Sequence, residues 1–552
     1  MLFSTNRLIF LAVAIVLLFS SCQKQKADKI VVNASIWTGN NRQPQAQAMA
    51  FSGDTILAIG TNREIEKFKG VQTDIINAAG KFITPGFIDT HVHLMMGGNA
   101  LLSVELRDAK TPEEFKHRIA NYAQTLAQDQ WILEGNWDQS LWGGELPTKE
   151  WIDEVTKENP VAIYRLDGHM ILANSAALKI AGINSNTPDL KGGAIIRNSD
   201  GSPTGILKGN NMNAVLNKIP IMTELQKENA LLAATRYLLS NGVTSVHDVD
   251  SLGTYSVAKS FKEKGQLGIR IYLAKPLNRW NEDFNMKDEN NKWLKTGLVK
   301  GFVDGSLGSH TAAFQEPYSD TAEDKGFFIH NEKQLFDWII GADKANLQIT
   351  VHAIGDRAIH TLLNIYEKVI AENGKKDRRL RIEHVQHISV EDMHRFSDLG
   401  IITSMQPYHA IDDGRWAEEL IGAKRIKTTY AFKSLLDQNT TITFGSDWPV
   451  APANPLEGIY AAVTRRTLDN KNNKGWVPQQ KITVEQALKA YTINAAYASF
   501  DEHIKGSLEV GKLADFIILN QDITKIDPIK IKDVRVLKSY VGGVKVYDAE
   551  EN

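Results

Sequence analysis

The sequence predicts an α/β fold: a (β/α)8 TIM-type barrel carrying a small β-sandwich built from both chain ends, with a long insertion after the first barrel strand. Three observations predict it. Eight apolar runs in the middle of the chain end in polar residues, and several lead into helical patterns, as parallel strands buried on both faces do. Short β-like runs separated by Gly, Asn and Asp occur near both termini. About 150 residues separate the first two apolar runs, far more than one strand–helix connection needs.

The elements follow in order. After Arg7 comes an unbroken apolar run, Leu8–Phe19, then Ser20, Ser21, Cys22 and a polar basic stretch. The run fits a signal-peptide core of ~7–15 residues and falls short of the ~18 or more that span a bilayer. Small residues before Cys22 resemble a bacterial lipobox, so residues 1–22 are read as a signal and lipidation segment. Phe19 departs from the aliphatic residue usual there, and an ordinary cleaved signal is the alternative. Either way, the expected location is outside the cytoplasm, in the cell envelope, with any membrane contact made through a lipid on Cys22.

Residues 29–83 hold Ile30–Val32, Ala48–Phe51, Ile56–Ile59 and Asp74–Ile76 as short β runs. Residues 506–549 read the same way through Ala514–Leu519, Val534–Leu537 and Gly543–Tyr547. Chain ends commonly lie close together, so these two stretches are expected to form one β-domain. Between them, residues 84–505 form the barrel, with strands at Phe87–His93, Val243–Asp248, Ile269–Ala274, Leu298–Asp304, Gln348–His352, Leu380–His384, Ile401–Gln406 and Thr441–Asp447. Residues 97–240 are the insertion over its mouth.

Composition narrows the function. Lys plus Arg is 63 against 65 Asp plus Glu, so no basic excess points to nucleic acid. A single cysteine excludes a disulfide framework within the chain.

Barrels of this type carry reactive groups at the C-terminal ends of their strands. Here those ends hold His91, His93, Lys300, His352, His384 and Asp447. In His91-Val92-His93 the period of two puts both imidazoles on one strand face, where they can share a cation. His352 and His384 close two further runs, and each alone reads as a core histidine. Asp447 ends the last strand, beside the first in a closed barrel. A carboxylate there can ligate metal and take a proton from water, or cap a following helix. Lys300 shares a strand face with Phe302 and Asp304. It is a ligand only if CO₂ carboxylates it. A Lys300–Asp304 ion pair and Asp304 itself as ligand are the other readings.

In the insertion, Trp137, Asp138 and His169 are candidates for substrate binding, with the loop 134–142 lining an apolar pocket. Many of its tryptophans also suit the core of an inserted lobe. Ser306, Ser309 and His310 follow a strand end, but no acid–base partner for a serine nucleophile is evident.

At these residues the chain resembles the amidohydrolase superfamily, in particular the family 3 branch that includes N-substituted formamide deformylases. The matching stretches are Pro85–His93, Ile163–His169 with Asn174-Ser175-Ala176, Val303–Ser309, His352–Ala358, Ile382–Gln386 and Gly445–Val450. The resemblance implies a metal-dependent hydrolase of carbon–nitrogen bonds other than peptide bonds. It implies that His91 and His93 bind a first Zn²⁺, that His352 and His384 bind a second, that Lys300 bridges, and that Asp447 is ligand and proton shuttle. One or two metals fit that pattern. The expected substrate is a small amide, such as an N-substituted formamide or acylated amine, and a second copy of the chain is an expected partner. Hydrolysis of a cyclic amide and deamination use the same constellation. A surface-tethered binding or regulatory protein on an inactive barrel is the alternative of another class.

Overall fold

The computed structural model describes residues 26–551 apart from 167, 169, 191–192, 251–252 and 284–289. The apolar run Leu8–Phe19, Cys22 and His169 therefore lie outside the described residues. Among the described residues, no helix is long and apolar enough to cross a membrane.

The eight central strands form one parallel sheet in sequence order. They are β1 (Phe87–Val92), β2 (Val243–Asp248), β3 (Arg270–Pro276), β4 (Leu294–Phe302), β5 (Gln348–Ala353), β6 (Arg381–His384), β7 (Ile402–Met405) and β8 (Ile442–Phe444). Closure comes where β8 returns beside β1: the Asp447 amide donates to the His91 carbonyl at 2.8 Å, and the His93 amide to the Trp448 carbonyl at 2.8 Å. The approach is tight. A Cβ at Gly445 would sit 2.6 Å from the His91 backbone nitrogen, so only glycine fits that seam. Ile271, Val299, Ile349, Val351, Ile382 and Phe444 lie in the apolar core shared by the strands and the surrounding helices.

The barrel interior also holds a polar column. Arg381, fully buried, donates to Glu383, to the Thr90 carbonyl at 2.7 Å and to His247 Nδ1 at 2.8 Å. Buried polar groups persist only when such partners meet their bonding needs.

Two sheets form the β-sandwich. A four-stranded one comprises 29–32, 48–52, 55–60 and 74–77. A six-stranded one joins 35–37, 45–46 and 82–85 from the N-terminal side to 516–519, 536–541 and 544–548. The two ends of the chain meet where Ile83 pairs antiparallel with Ile518. Phe516 stacks on Tyr540 with ring centres 4.3 Å apart, and both share the sandwich core with Phe51 and Ile83. Arg270 of β3 holds Asp515 by two bonds of 2.6 and 2.8 Å, which fastens sandwich to barrel.

After β1 come helix α1 (Leu94–Leu101) and a lobe around a six-stranded sheet made of 104–105, 132–137, 161–165, 170–173, 193–197 and 203–209. The lobe has its own core of Phe115, Ile119, Trp137, Ile163, Leu172 and Ile206. The last helix of the stretch 97–240, α2 (Glu224–Ser240), buries Leu231, Ala234 and Leu238 in the barrel core instead. Arg107 ties the lobe to the barrel mouth, donating to the carbonyls of Pro449 (2.6 Å) and Val450 (2.9 Å).

Candidate metal centre

Five of the strand-end residues gather at the mouth of the barrel. Asp447 Oδ1 lies 3.2 Å from His91 Nε2 and 3.2 Å from His93 Nε2. The His91 ring is 5.7 Å from the His93 ring and 4.8 Å from the His384 ring, centre to centre, and His384 is 4.4 Å from His352. His91, His93 and Asp447 each offer a ligand atom within 4.8 Å of the others, and so do His384, His409 and Asp447. The backbone is bent to achieve this. Asp447 has φ +61°, His384 +73° and Val385 +48°, conformations that cost a non-glycine residue about 1–3 kcal/mol each and cluster at functional sites. Asp447 caps no helix, since the next one begins at Pro455 with Asn454 as its cap.

Three of the imidazoles are oriented by a second bond. His91 donates from Nδ1 to Glu383 Oε2 at 2.6 Å, which turns Nε2 towards Asp447. Glu383 is anchored in turn by Arg381 and by the Thr350 hydroxyl. His384 donates from Nδ1 to Gln406 Oε1 at 2.8 Å, and His352 from Nε2 to the Gly305 carbonyl at 3.0 Å. A partner on one ring nitrogen fixes the tautomer and reserves the other for a cation.

The charges suit the same purpose. Burial holds His352 down to about 3, with Lys300 adding to the effect, and lowers His384 well below the ordinary value. Both rings are therefore neutral, the form that ligates. Burial alone would raise the Asp447 carboxyl, but His91, His93 and His384 hold it well below the usual range. Glu383 is likewise raised by burial and brought well below 4.5 by Arg381 and His91. Burial opposes protonation of His93, yet Asp250 and Asp447 push it up to about 9, so it must shed a proton to ligate. Four imidazoles and one carboxylate form a donor set for a borderline-soft divalent cation.

Lys300 is buried with Nζ 3.3 Å from His91 Nε2 and 4.7 Å from the centre of the Phe302 ring. Burial lowers its proton affinity. Two readings of this strand are corrected. Asp304 is fully buried and accepts from the amides of Ala313 (2.8 Å), Ile354 (3.0 Å) and Gly355 (2.9 Å), so its oxygens hold the loops after β4 and β5 together. Lys300 turns to His91 and away from that role.

Trp137, expected on a pocket wall, is fully buried in the lobe core with its indole N–H donated to the Ile163 carbonyl at 3.1 Å. It has no free face to offer a substrate. Asp138 is also buried, 3.7 Å from the Arg165 guanidinium. Residues that sequence reasoning passed over are Glu383, Gln406 and His409. The first sits inside the Ile382–Gln386 stretch, the second directly follows β7, and His409 lies in the helix after it.

A profile of the amidohydrolase family matches residues 74–547. The protein LONG AFTER FAR-RED 3 of Arabidopsis thaliana is 40% identical over 542 residues, covering 94% of this chain and 92% of its own length. The putative amidohydrolase YtcJ of Bacillus subtilis is 30% identical, covering 93% and 98%. N-substituted formamide deformylase of Arthrobacter pascens is 28% identical, covering 95% and 99%. An uncharacterized metal-dependent hydrolase of Pyrococcus horikoshii superposes with a TM-score of 0.76 at 27% identity, covering 91% of this chain and 99% of its own.

Proposed function

The chain belongs to the amidohydrolase family, and from that premise we propose that this metal-dependent hydrolase cleaves the C–N bond of a small linear amide, an N-substituted formamide or acylated amine. The observation that carries the reading is the single Asp447 oxygen 3.2 Å from the Nε2 atoms of both His91 and His93. The likeness to a deformylase along nearly the whole of both chains supports the choice of bond.

In this reading His91, His93, His352, His384 and Asp447 would hold one or two zinc ions, and Lys300, if carboxylated, would add an anionic ligand. When bound, the metal supplies a Lewis acid and lowers the pKa of water to about 7. The protein's own groups do the rest. Asp447 accepts the proton of the attacking water and returns it to the departing nitrogen, which leaves as an amine. Glu383 and Gln406 keep the imidazoles in their ligating tautomers. The strand-end frame fixes all these groups before substrate arrives, so little reorganisation opposes the reaction.

The test is metal analysis of the full chain, followed by a screen of formamides, acylated amines and cyclic amides with and without added Zn²⁺. One or two zinc ions per chain and turnover of a linear amide are expected. Turnover of cyclic amides alone would refute the substrate class. A protein that binds no metal at any of these side chains would refute the site.

A further inference from the structure

His409 lies four residues beyond the end of β7, in helix α3 (Pro407–Asp413). Its ring is parallel to that of His384, with centres 6.5 Å apart and planes 6° from each other. Its Nε2 is buried and has no hydrogen-bond partner among the described residues. Yet it belongs to a group with His384 and Asp447 whose ligand atoms lie within 4.8 Å of one another. A nitrogen so placed is either one more metal ligand or a donor to something bound beside the metal.

Ring spacing decides between them. With metal–nitrogen bonds of about 2.0–2.1 Å and each nitrogen about 1.1 Å from its ring centre, two imidazoles on one tetrahedral ion have centres roughly 5 Å apart, and on opposite sides roughly 6.3 Å. The pairs His91–His93 (5.7 Å), His91–His384 (4.8 Å) and His352–His384 (4.4 Å) stay below that upper limit. His384–His409, at 6.5 Å, does not. The His409 ring, on helix α3, stands just beyond the spacing at which it could share an ion with His384.

We propose that His409, as its Nε2–H tautomer, is a catalytic residue that donates a hydrogen bond to the substrate's carbonyl oxygen and holds it as negative charge builds there during attack by water. A donor fixed in advance where charge develops is an effective electrostatic catalyst. An unpaired buried N–H is unfavourable for the empty protein, and the substrate oxygen relieves it. Asp447 handles the proton on one side of the scissile bond while His409 steadies the oxygen on the other.

The inference rests on the amide-hydrolysis reading, and the experiment separates the two. His409→Ala, His409→Gln and His409→Phe are compared with the wild-type full chain in four measurements. These are metal content, melting temperature of the metal-free protein, kcat and KM on the best amide of the screen, and affinity for an N-alkyl methylphosphonamidate as tetrahedral mimic. His409→Ala should lower kcat by about 10²–10³-fold with KM moved far less and metal content intact. Phosphonamidate affinity should fall in parallel with kcat/KM, and His409→Gln, which keeps an N–H donor, should recover part of both. Metal-free His409→Phe should melt no lower than wild type, because it removes an unpaired polar group. Loss of metal in His409→Ala would make His409 a ligand and overturn the proposal, as would wild-type kcat in that variant. A wild type that neither turns over amides nor binds the phosphonamidate overturns both readings.

Discussion

Glu383→Gln probes the brace behind the metal centre. The wild-type carboxylate accepts from His91 Nδ1 at 2.6 Å through one oxygen, and from Arg381 at 2.7 and 3.1 Å through the other, all fully buried. Glutamine keeps the shape but loses the charge, and its amide N–H₂ can reverse the His91 tautomer. Two separable effects follow. Loss of an outer-shell partner of a metal-ligating histidine weakens metal binding by about 10–100-fold, or roughly 1.4–2.7 kcal/mol. Leaving the Arg381 guanidinium without its counter-charge costs about 3–5 kcal/mol of stability, as removal of one partner from a buried pair does. The assays are chelator competition for metal affinity and urea denaturation for stability. Adding Arg381→Met should restore part of the stability and none of the metal affinity. The pH dependence has a definite sign. Glu383 is held well below the ordinary 4.5, so the folded state binds fewer protons than the unfolded. Its stabilisation is present above about pH 4.5 and declines as pH falls below it towards the folded-state value. In Glu383→Gln this component of acid sensitivity should disappear. A variant with wild-type metal affinity would refute the tautomer argument, whatever its stability.

Other changes test other parts of the molecule. Trp137→Ala should destabilise the protein by about 3–5 kcal/mol with metal content unchanged, checked by denaturation and metal analysis; an intact fold with altered substrate preference would return Trp137 to the pocket. Gly97→Ala should reduce activity more than stability, because the new Cβ would lie 2.3 Å from the Trp448 ring beside Asp447; kinetics and melting temperature measured together decide it. Cys22→Ala should release the protein from the membrane fraction if Cys22 carries the lipid, and fractionation of expressing cells shows whether it does.

The barrel was readable because parallel strands buried on both faces leave long apolar runs, and because reactive groups sit where those runs stop. His91 and His93 were readable for a simpler reason, the two-residue period of a strand. Glu383 was not. Alternation puts Glu383 and its neighbour His384 on opposite faces, and only the left-handed kink at His384 and Val385 brings both to one centre. Nor was His409 legible, since a helix of only two turns just after a strand gives too short a pattern to betray which way one histidine points. The role of Trp137 could not be settled from its neighbours, because a cluster of aromatic residues reads alike as lobe core and as pocket wall. Its complete enclosure, with the indole N–H satisfied by Ile163, is a property of the packed lobe.

The pairing of Phe82–Pro85 with Phe516–Leu519 sets a schedule for biosynthesis. Pro85 and Phe516 are separated by roughly 430 residues, and ribosomes add about 5–20 residues per second. The early strand therefore waits roughly 20–90 seconds for its neighbour to be synthesised. During that interval its edge is open to the wrong strand, on this chain or another. Nascent chains of this protein should need a holding chaperone until the last tenth is made, and truncations that remove it should aggregate while the barrel residues are all still present.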